Sequence, residues 1–224
     1  MAPRGPQQGE GGVAFRYLVV EGPPAVGKTA LARRLAESFG ARLLRGGAAD
    51  NPFLEAFYRD RRKYAFQTQL FFLTSRYQQQ QELAQPELFS RVTVADYLFA
   101  RDRIFAYLTL DDTELAMYEK IYRMVEPAVP RPDLVVYLQA GADVLHERIR
   151  RRGRPGERHL EPEYLEQVVQ AFNSFFFHYS DSPLLVVDVG EVDLAASPDD
   201  YADLLREIRR AGPGTQYFVP RRRG

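Results

Sequence analysis

Apolar residues fall along this chain in two alternating patterns. Five short runs are apolar and rich in β-branched or aromatic residues: Phe15-Arg16-Tyr17-Leu18-Val19-Val20, Ala41-Arg42-Leu43-Leu44, Arg91-Val92-Thr93-Val94-Ala95, Asp133-Leu134-Val135-Val136-Tyr137-Leu138 and Leu184-Leu185-Val186-Val187-Asp188. Such runs predict buried strands. Between them apolar residues recur at helical spacing. This predicts helices that start at Thr29 and cover 51–58, 61–84, 98–107, 112–125, 142 onward, 162–179 and 198–210. Pro127, Pro130 and Pro132 interrupt the chain ahead of the fourth strand. Short strands alternating with helices predict an α/β fold, a five-stranded parallel sheet with helices on both faces. Residues 1–12, rich in Gly, Pro and Gln, read as a disordered tail. Residues 13–211 read as one domain, and 212–224 as an irregular tail ending in a solvated Arg221-Arg222-Arg223.

Composition narrows the function classes. A chain of 224 residues, 45% of them hydrophobic, suits one domain with a sizeable core. Thirty basic residues balance thirty acidic ones, so no overall field favours a nucleic-acid polymer or a membrane surface. With no cysteine and three scattered histidines, neither a thiolate nor a histidine metal centre is expected. No apolar run has the length of a membrane span or the character of a signal peptide, and the cytoplasm is the expected location.

The chemistry begins between the first strand and the first helix. Gly22-Pro23-Pro24-Ala25-Val26-Gly27-Lys28-Thr29 fits the phosphate-binding pattern Gly, four free positions, Gly-Lys-Ser/Thr. The glycines let the backbone turn its N–H groups toward phosphate oxygens. Lys28 supplies a point charge, the Thr29 hydroxyl can ligate Mg²⁺, and the helix start adds its positive dipole end. ATP and Mg²⁺ are therefore the expected ligands. Asp96 closes the third strand, where a carboxylate can hold Mg²⁺; the competing reading is a helix N-cap. Arg148 and Arg152 share a helix face and Arg154 lies beyond Gly153, so all three can clamp phosphates; a basic helix end that complements the dipole is the plainer alternative. In helix 61–84, Phe66, Leu70, Leu73 and Tyr77 form an apolar face with Gln69 and Arg76 close to it. An amide there can read a base edge, or can simply be solvated.

Together these residues resemble the deoxynucleoside kinase family, in particular its bacterial deoxyadenosine/deoxyguanosine kinase-like branch, from about Tyr17 to Tyr201. The carrying segments are Glu21 to Thr29, Asn51-Pro52-Phe53-Leu54-Glu55-Ala56-Phe57-Tyr58, Tyr64 to Leu73, Ile104-Phe105-Ala106, and Arg148 to Arg154 with Glu157 and Glu163-Tyr164-Leu165. The resemblance implies a P-loop kinase fold with an arginine-rich lid. It further implies that Gln69 bonds the base with Arg76 at matching spacing, that Phe105 stacks on the base, and that Tyr58 and Glu157 hold the sugar 3′-hydroxyl. Arg148, Arg152 and Arg154 would close over the phosphates, and Asp96 would stand at the family's Asp/Glu-Arg-Ser motif. The implied activity is ATP-dependent phosphorylation of a deoxynucleoside, a purine by branch, at its 5′-hydroxyl; separately, a helix-rich exposed face makes a homodimer the expected assembly.

Two positions depart from the family pattern. Its proton-accepting glutamate after the second strand falls at Gly46-Gly47, and the arginine after its acidic residue is Tyr97. Asp50, or Asp96 through water, is a candidate substitute for the first; Arg101, one helical turn on, is a candidate for the second. The departures keep open a catalytically weak nucleotide-binding protein of the same fold. The shared loop keeps open a thymidylate-like monophosphate kinase.

Overall fold

The computed structural model describes residues 15–46, 51–83, 92–153 and 160–220. In chain order the elements are β1 (Tyr17–Glu21), α1 (Lys28–Phe39), β2 (Arg42–Leu44), α2 (Leu54–Arg59), α3 (Arg61–Leu83), β3 (Thr93–Ala95), α4 (Arg101–Thr109), α5 (Asp112–Val125), β4 (Leu134–Gln139), α6 (Ala142–Arg152), α7 (Pro162–Phe177), β5 (Leu184–Asp188), α8 (Pro198–Arg210) and β6 (Thr215–Phe218). The strands form one sheet in the order β2-β3-β1-β4-β5-β6, with every pairing parallel.

The sheet thus has six strands where the sequence predicts five. The extra strand, β6, lies in the segment read as an irregular tail. Its residues alternate between exposed and half-buried, the pattern of an edge strand that buries little of either face. Such a strand is specified by its pairing with β5, Leu184 opposite Thr215 through Val187 opposite Phe218, more than by local apolarity. The expected tail at 1–12 lies outside the described residues.

Alternation along the strands divides the core. Leu18, Val20, Leu134, Val136, Leu138, Leu185 and Val187 face a layer containing Leu31 and Leu35 of α1, Leu145 and Ile149 of α6, and Leu204 and Ile208 of α8. Tyr17, Val19, Val135, Tyr137, Leu184 and Val186 face the other layer, with Ile104 of α4 and Val168, Phe172 and Phe176 of α7. Helices on both faces follow from this period of two. A third cluster joins Leu73 of α3, Ala106 of α4 and Tyr118 and Tyr122 of α5.

Helix ends obey local chemistry. Asp111 and Glu114 form a reciprocal capping box at the start of α5, and the Ser197 hydroxyl accepts from Asp200 N at the start of α8. Gly153, at φ 63°, closes α6 in the left-handed conformation.

Helix α3 follows its expected packing in part, with Leu73 in the third cluster and Phe66 and Tyr77 against it. Of Phe66, Leu70, Leu73 and Tyr77, only Leu73 is fully buried. The buried face instead runs through Ala65, Thr68, Gln69, Leu73, Arg76 and Gln80. Polar residues thus occupy positions where core residues would ordinarily sit, and such placement needs partners.

Candidate active site

The carboxyl ends of β1, β2 and β3 converge, as expected for an open parallel sheet. At the end of β1 the chain enters the glycine loop. Gly22 sits at φ 152°, and a Cβ there would meet the Leu138 carbonyl oxygen at 2.4 Å and Val26 Cγ1 at 2.9 Å. Only glycine fits this passage between β1 and β4. Ala25 (φ 61°) and Gly27 (φ 108°) follow with positive φ, which folds the loop into a concave backbone turn of the anion-binding kind. No side chain caps α1, leaving its first N–H groups to the loop's concavity.

Lys28 folds back over this loop. Its ammonium donates to the carbonyls of Gly22 (2.7 Å) and Pro23 (2.8 Å). Burial, then the charge of Arg101, pulls its pKa down to about 7; Glu21 and Asp96 oppose the shift and Arg152 adds to it. An anion in the loop would reverse that balance.

Two carboxylates face Lys28, and they are held differently. Glu21 is fully buried, its oxygens accepting from Gly22 N (2.8 Å) and Leu98 N (2.6 Å). Arg101 approaches it at 3.6 Å. Asp96 accepts from the Thr29 hydroxyl at 2.5 Å and from Gly46 N at 2.6 Å. A hydroxyl and a carboxylate in contact beside a phosphate-sized loop form a hard-oxygen pair of the kind that suits Mg²⁺, with phosphate and water completing its shell. Among the described residues no cluster of three or more His, Cys, Asp or Glu could hold a metal unaided.

The two departures from the family pattern touch each other. A Cβ at Gly46 would meet Tyr97 Cδ1 at 3.2 Å, Asp96 Oδ1 at 3.3 Å and Tyr97 Cβ at 3.3 Å. Tyr97 is wholly buried, and its hydroxyl accepts from Gln80 Nε2 (3.1 Å), which also donates to the Tyr17 hydroxyl (3.1 Å). Burial pushes the Tyr97 phenol up to about 12, so it remains neutral. Gly46 therefore provides a backbone donor to Asp96 where the resemblance implies a side-chain acceptor. Residues 47–50, with the alternative Asp50, lie outside the described residues.

Of the three expected arginines, Arg154 lies outside the described residues, as does Glu157. Arg148 donates to Val189 O (2.7 Å) and Val192 O (3.3 Å) after β5 and, at 3.5 Å, to Val26 O of the loop. It braces the loop from its own backbone. Arg152 ends α6, near enough for its charge to act on Lys28.

The second half of the site is made by helices. Arg76 and Asp102 form a buried ion pair between α3 and α4, at 3% and 1% side-chain exposure. Arg76 Nε and Asp102 Oδ2 find no hydrogen-bond partner among the described residues. Gln69, two turns earlier on α3, donates from Nε2 to Thr109 Oγ1 (3.3 Å) at the end of α4. Half-buried Phe105 meets Phe172 edge-on at 5.7 Å, under the Arg101 guanidinium at 5.6 Å. Tyr58 is close enough to Tyr164 to help push up its phenol, although burial is the larger cause. The helix pair thus brings Gln69, Arg76 and Phe105 into one neighbourhood, and Tyr58 into another with Tyr164.

Sequence reasoning missed Asp102, Thr109 and Glu21. Asp102 stands in the first turn of a helix, where an acidic residue is unremarkable from local sequence alone. Only its position opposite Arg76 on a neighbouring helix reveals the pair.

Comparison with known proteins gives the family and the fold. The deoxynucleoside kinase family profile matches residues 18–211. The chain is 31% identical over 198 residues to a deoxyguanosine kinase of Bacillus subtilis (strain 168), covering 86% of this chain and 96% of the relative. It is 25% identical over 208 residues to a deoxyadenosine kinase of Lactobacillus acidophilus, covering 87% and 95%. The solved structure of the M. mycoides deoxyadenosine kinase with bound dATP has the same fold, with a TM-score of 0.74 at 24% identity over 85% of this chain and 99% of that one.

Proposed function

The chain belongs to the deoxynucleoside kinase family, and on that premise we propose that it transfers the γ-phosphoryl group of ATP to the 5′-hydroxyl of a purine deoxynucleoside. The activity is that of an ATP-dependent deoxynucleoside kinase. The observation that carries the mechanism is the Thr29–Asp96 hydrogen bond at the mouth of the glycine loop, where an oxygen pair meets uncapped helix N–H groups.

Gly22, Pro23, Pro24, Ala25, Val26 and Gly27 form the phosphate loop, their backbone wrapping the donor phosphates while Lys28 swings from its loop carbonyls to the phosphate oxygens. Thr29 and Asp96 would hold Mg²⁺, which when bound neutralises phosphate charge. Arg152 and Arg154 close over the transferring group as a lid and stabilise its charge, while Arg148 keeps the loop in shape. Gln69 and Arg76, the latter fixed by Asp102, bond the base, and Phe105 stacks on it. Tyr58 and Glu157 hold the 3′-hydroxyl. The 5′-hydroxyl proton passes to water, with Asp96 as the carboxylate behind it, a weak base because it, like Glu21, already accepts two hydrogen bonds. Loss of a dedicated base is tolerable, because phosphoryl transfer rests chiefly on positioning and charge stabilisation.

The purine preference is supported by the names of the relatives, deoxyguanosine and deoxyadenosine kinases. Exposed Met117 and Met124, one heptad apart on α5, together with exposed Tyr107 of α4, support a homodimer. No helix among the described residues is long and apolar enough to cross a membrane, in keeping with the proposed cytoplasmic location.

The test is transfer of labelled γ-phosphate from Mg-ATP to the four deoxynucleosides, with the four monophosphates alongside. Turnover of deoxyadenosine or deoxyguanosine is expected. Faster turnover of dTMP than of any nucleoside, or no turnover at all, would overturn the proposal.

A further inference from the structure

The proton inventory around Gln69 is closed on one side. Thr109 Oγ1 lies 2.7 Å from the carbonyl oxygen of Phe105, one helical turn back, and a carbonyl can only accept. The hydroxyl has a single proton, and this bond uses it. Towards Gln69, 3.3 Å away, Oγ1 offers lone pairs alone. The Gln69 atom facing it must therefore be the donor, Nε2. Oε1 is then the amide atom on the side away from Thr109. Flipping the amide would set two acceptors against each other inside a buried site, Gln69 being 3% exposed.

Purine bases differ in the sense of the edge an amide reads. A 6-amino purine presents a donor at C6 and an acceptor at N1; a 6-oxo purine presents an acceptor at C6 and a donor at N1. An amide free to flip serves both in one pose. An amide held in one orientation pairs with one and leaves the other with mismatched polar groups. The relatives divide along this line, one a deoxyguanosine kinase and another a deoxyadenosine kinase.

We infer that Thr109 is a specificity-determining positioning residue, its hydroxyl locking the Gln69 amide so that the enzyme distinguishes 6-amino from 6-oxo purine deoxynucleosides. This rests on the proposed reading that Gln69 meets the base.

The test compares deoxyadenosine with deoxyguanosine, as kcat/KM with Mg-ATP and as dissociation constants, for the unmodified full chain, Thr109→Val, Thr109→Ser and Gln69→Ala. The unmodified protein should prefer one purine by at least about tenfold. Thr109→Val should bring that ratio to within about threefold of unity, chiefly by gain on the disfavoured purine, with the fold intact by thermal melting. Thr109→Ser, which keeps the hydroxyl, should retain the preference. An unmodified protein without preference, or Thr109→Val with the original ratio, overturns the lock. If Gln69→Ala also keeps the ratio, the reading of Gln69 as base contact falls and the lock falls with it. If Gln69→Ala loses the preference while Thr109→Val keeps it, the base contact stands and the lock alone is wrong. The dissociation constants give the ratio even where turnover is absent.

Discussion

The two ends proposed here for phosphate and for base are built from different materials. At the phosphate end the recognising groups are backbone: a concave loop of positive-φ residues, uncapped helix N–H groups and carbonyls that park Lys28. At the base end they are side chains buried between helices, Gln69 against Thr109 and Arg76 against Asp102. Backbone recognition demands special residues in a row, because each peptide unit must adopt a set conformation. Side-chain recognition demands only that two helices meet in register. The first leaves a compact motif in the chain; the second scatters its parts over about forty positions, as Gln69 and Thr109 illustrate.

If this contrast is right, the two ends should fail differently. The largest effect is expected at the base end. Asp102→Asn leaves Arg76 charged and unpaired in the interior and should cost about 3–5 kcal/mol in denaturant unfolding. Replacing both partners, Arg76→Met with Asp102→Leu, should recover most of that stability without recovering nucleoside affinity. A double variant as unstable as the single would show that the pair is not the source. Next comes Gly22→Ala, whose Cβ collides with the Leu138 carbonyl. Turnover should fall at least about 100-fold through a displaced loop, while binding of nucleoside alone should survive; equal loss of nucleoside binding would dissolve the distinction between the ends.

A smaller effect concerns protons. With its pKa at about 7 in the free protein, Lys28 is increasingly neutral above that pH, and phosphate in the loop restores its charge. Nucleotide binding should therefore take up a proton above about pH 7, and affinity at pH 8 should be up to about tenfold lower than at pH 7. Calorimetry at pH 8 in two buffers of different ionisation enthalpy measures the uptake; none would mean that Lys28 is already charged in the empty loop. The smallest effect is Gly46→Ala. Its methyl must push on Tyr97 and Asp96 at 3.2–3.3 Å, at a cost of about 1 kcal/mol in thermal unfolding. No change would indicate that the two departures from the family pattern arose independently.

The same contrast explains what was legible in the chain. The apolar runs around Leu18, Val94, Val135 and Val186 marked four strands of the core because their burial on both faces leaves no polar positions to dilute the signal. The Gly22–Thr29 loop was legible as a tight glycine turn, which the positive φ at Gly22, Ala25 and Gly27 matches. Gln69 and Arg76 were singled out beside the apolar face of α3 but not as part of its buried stripe, because that stripe mixes them with Ala65, Thr68, Leu73 and Gln80 and so blurs the amphipathic signal. Thr109 and Asp102 carried no local signal, since their significance lies in helices that meet only in the folded protein. Strand β6 was hidden for a related reason, its residues being half exposed and ordered by β5.

That last strand has a bearing on how far the molecule can be trimmed. The family match ends at residue 211, a natural place to cut. A chain cut there would lose β6 and leave the backbone of Leu184 to Val187 open along its full length, next to an apolar core. An uncovered edge of that kind pairs readily with another molecule's edge. The four residues least suggestive of structure would then be what keeps one copy of this sheet from stitching itself to the next.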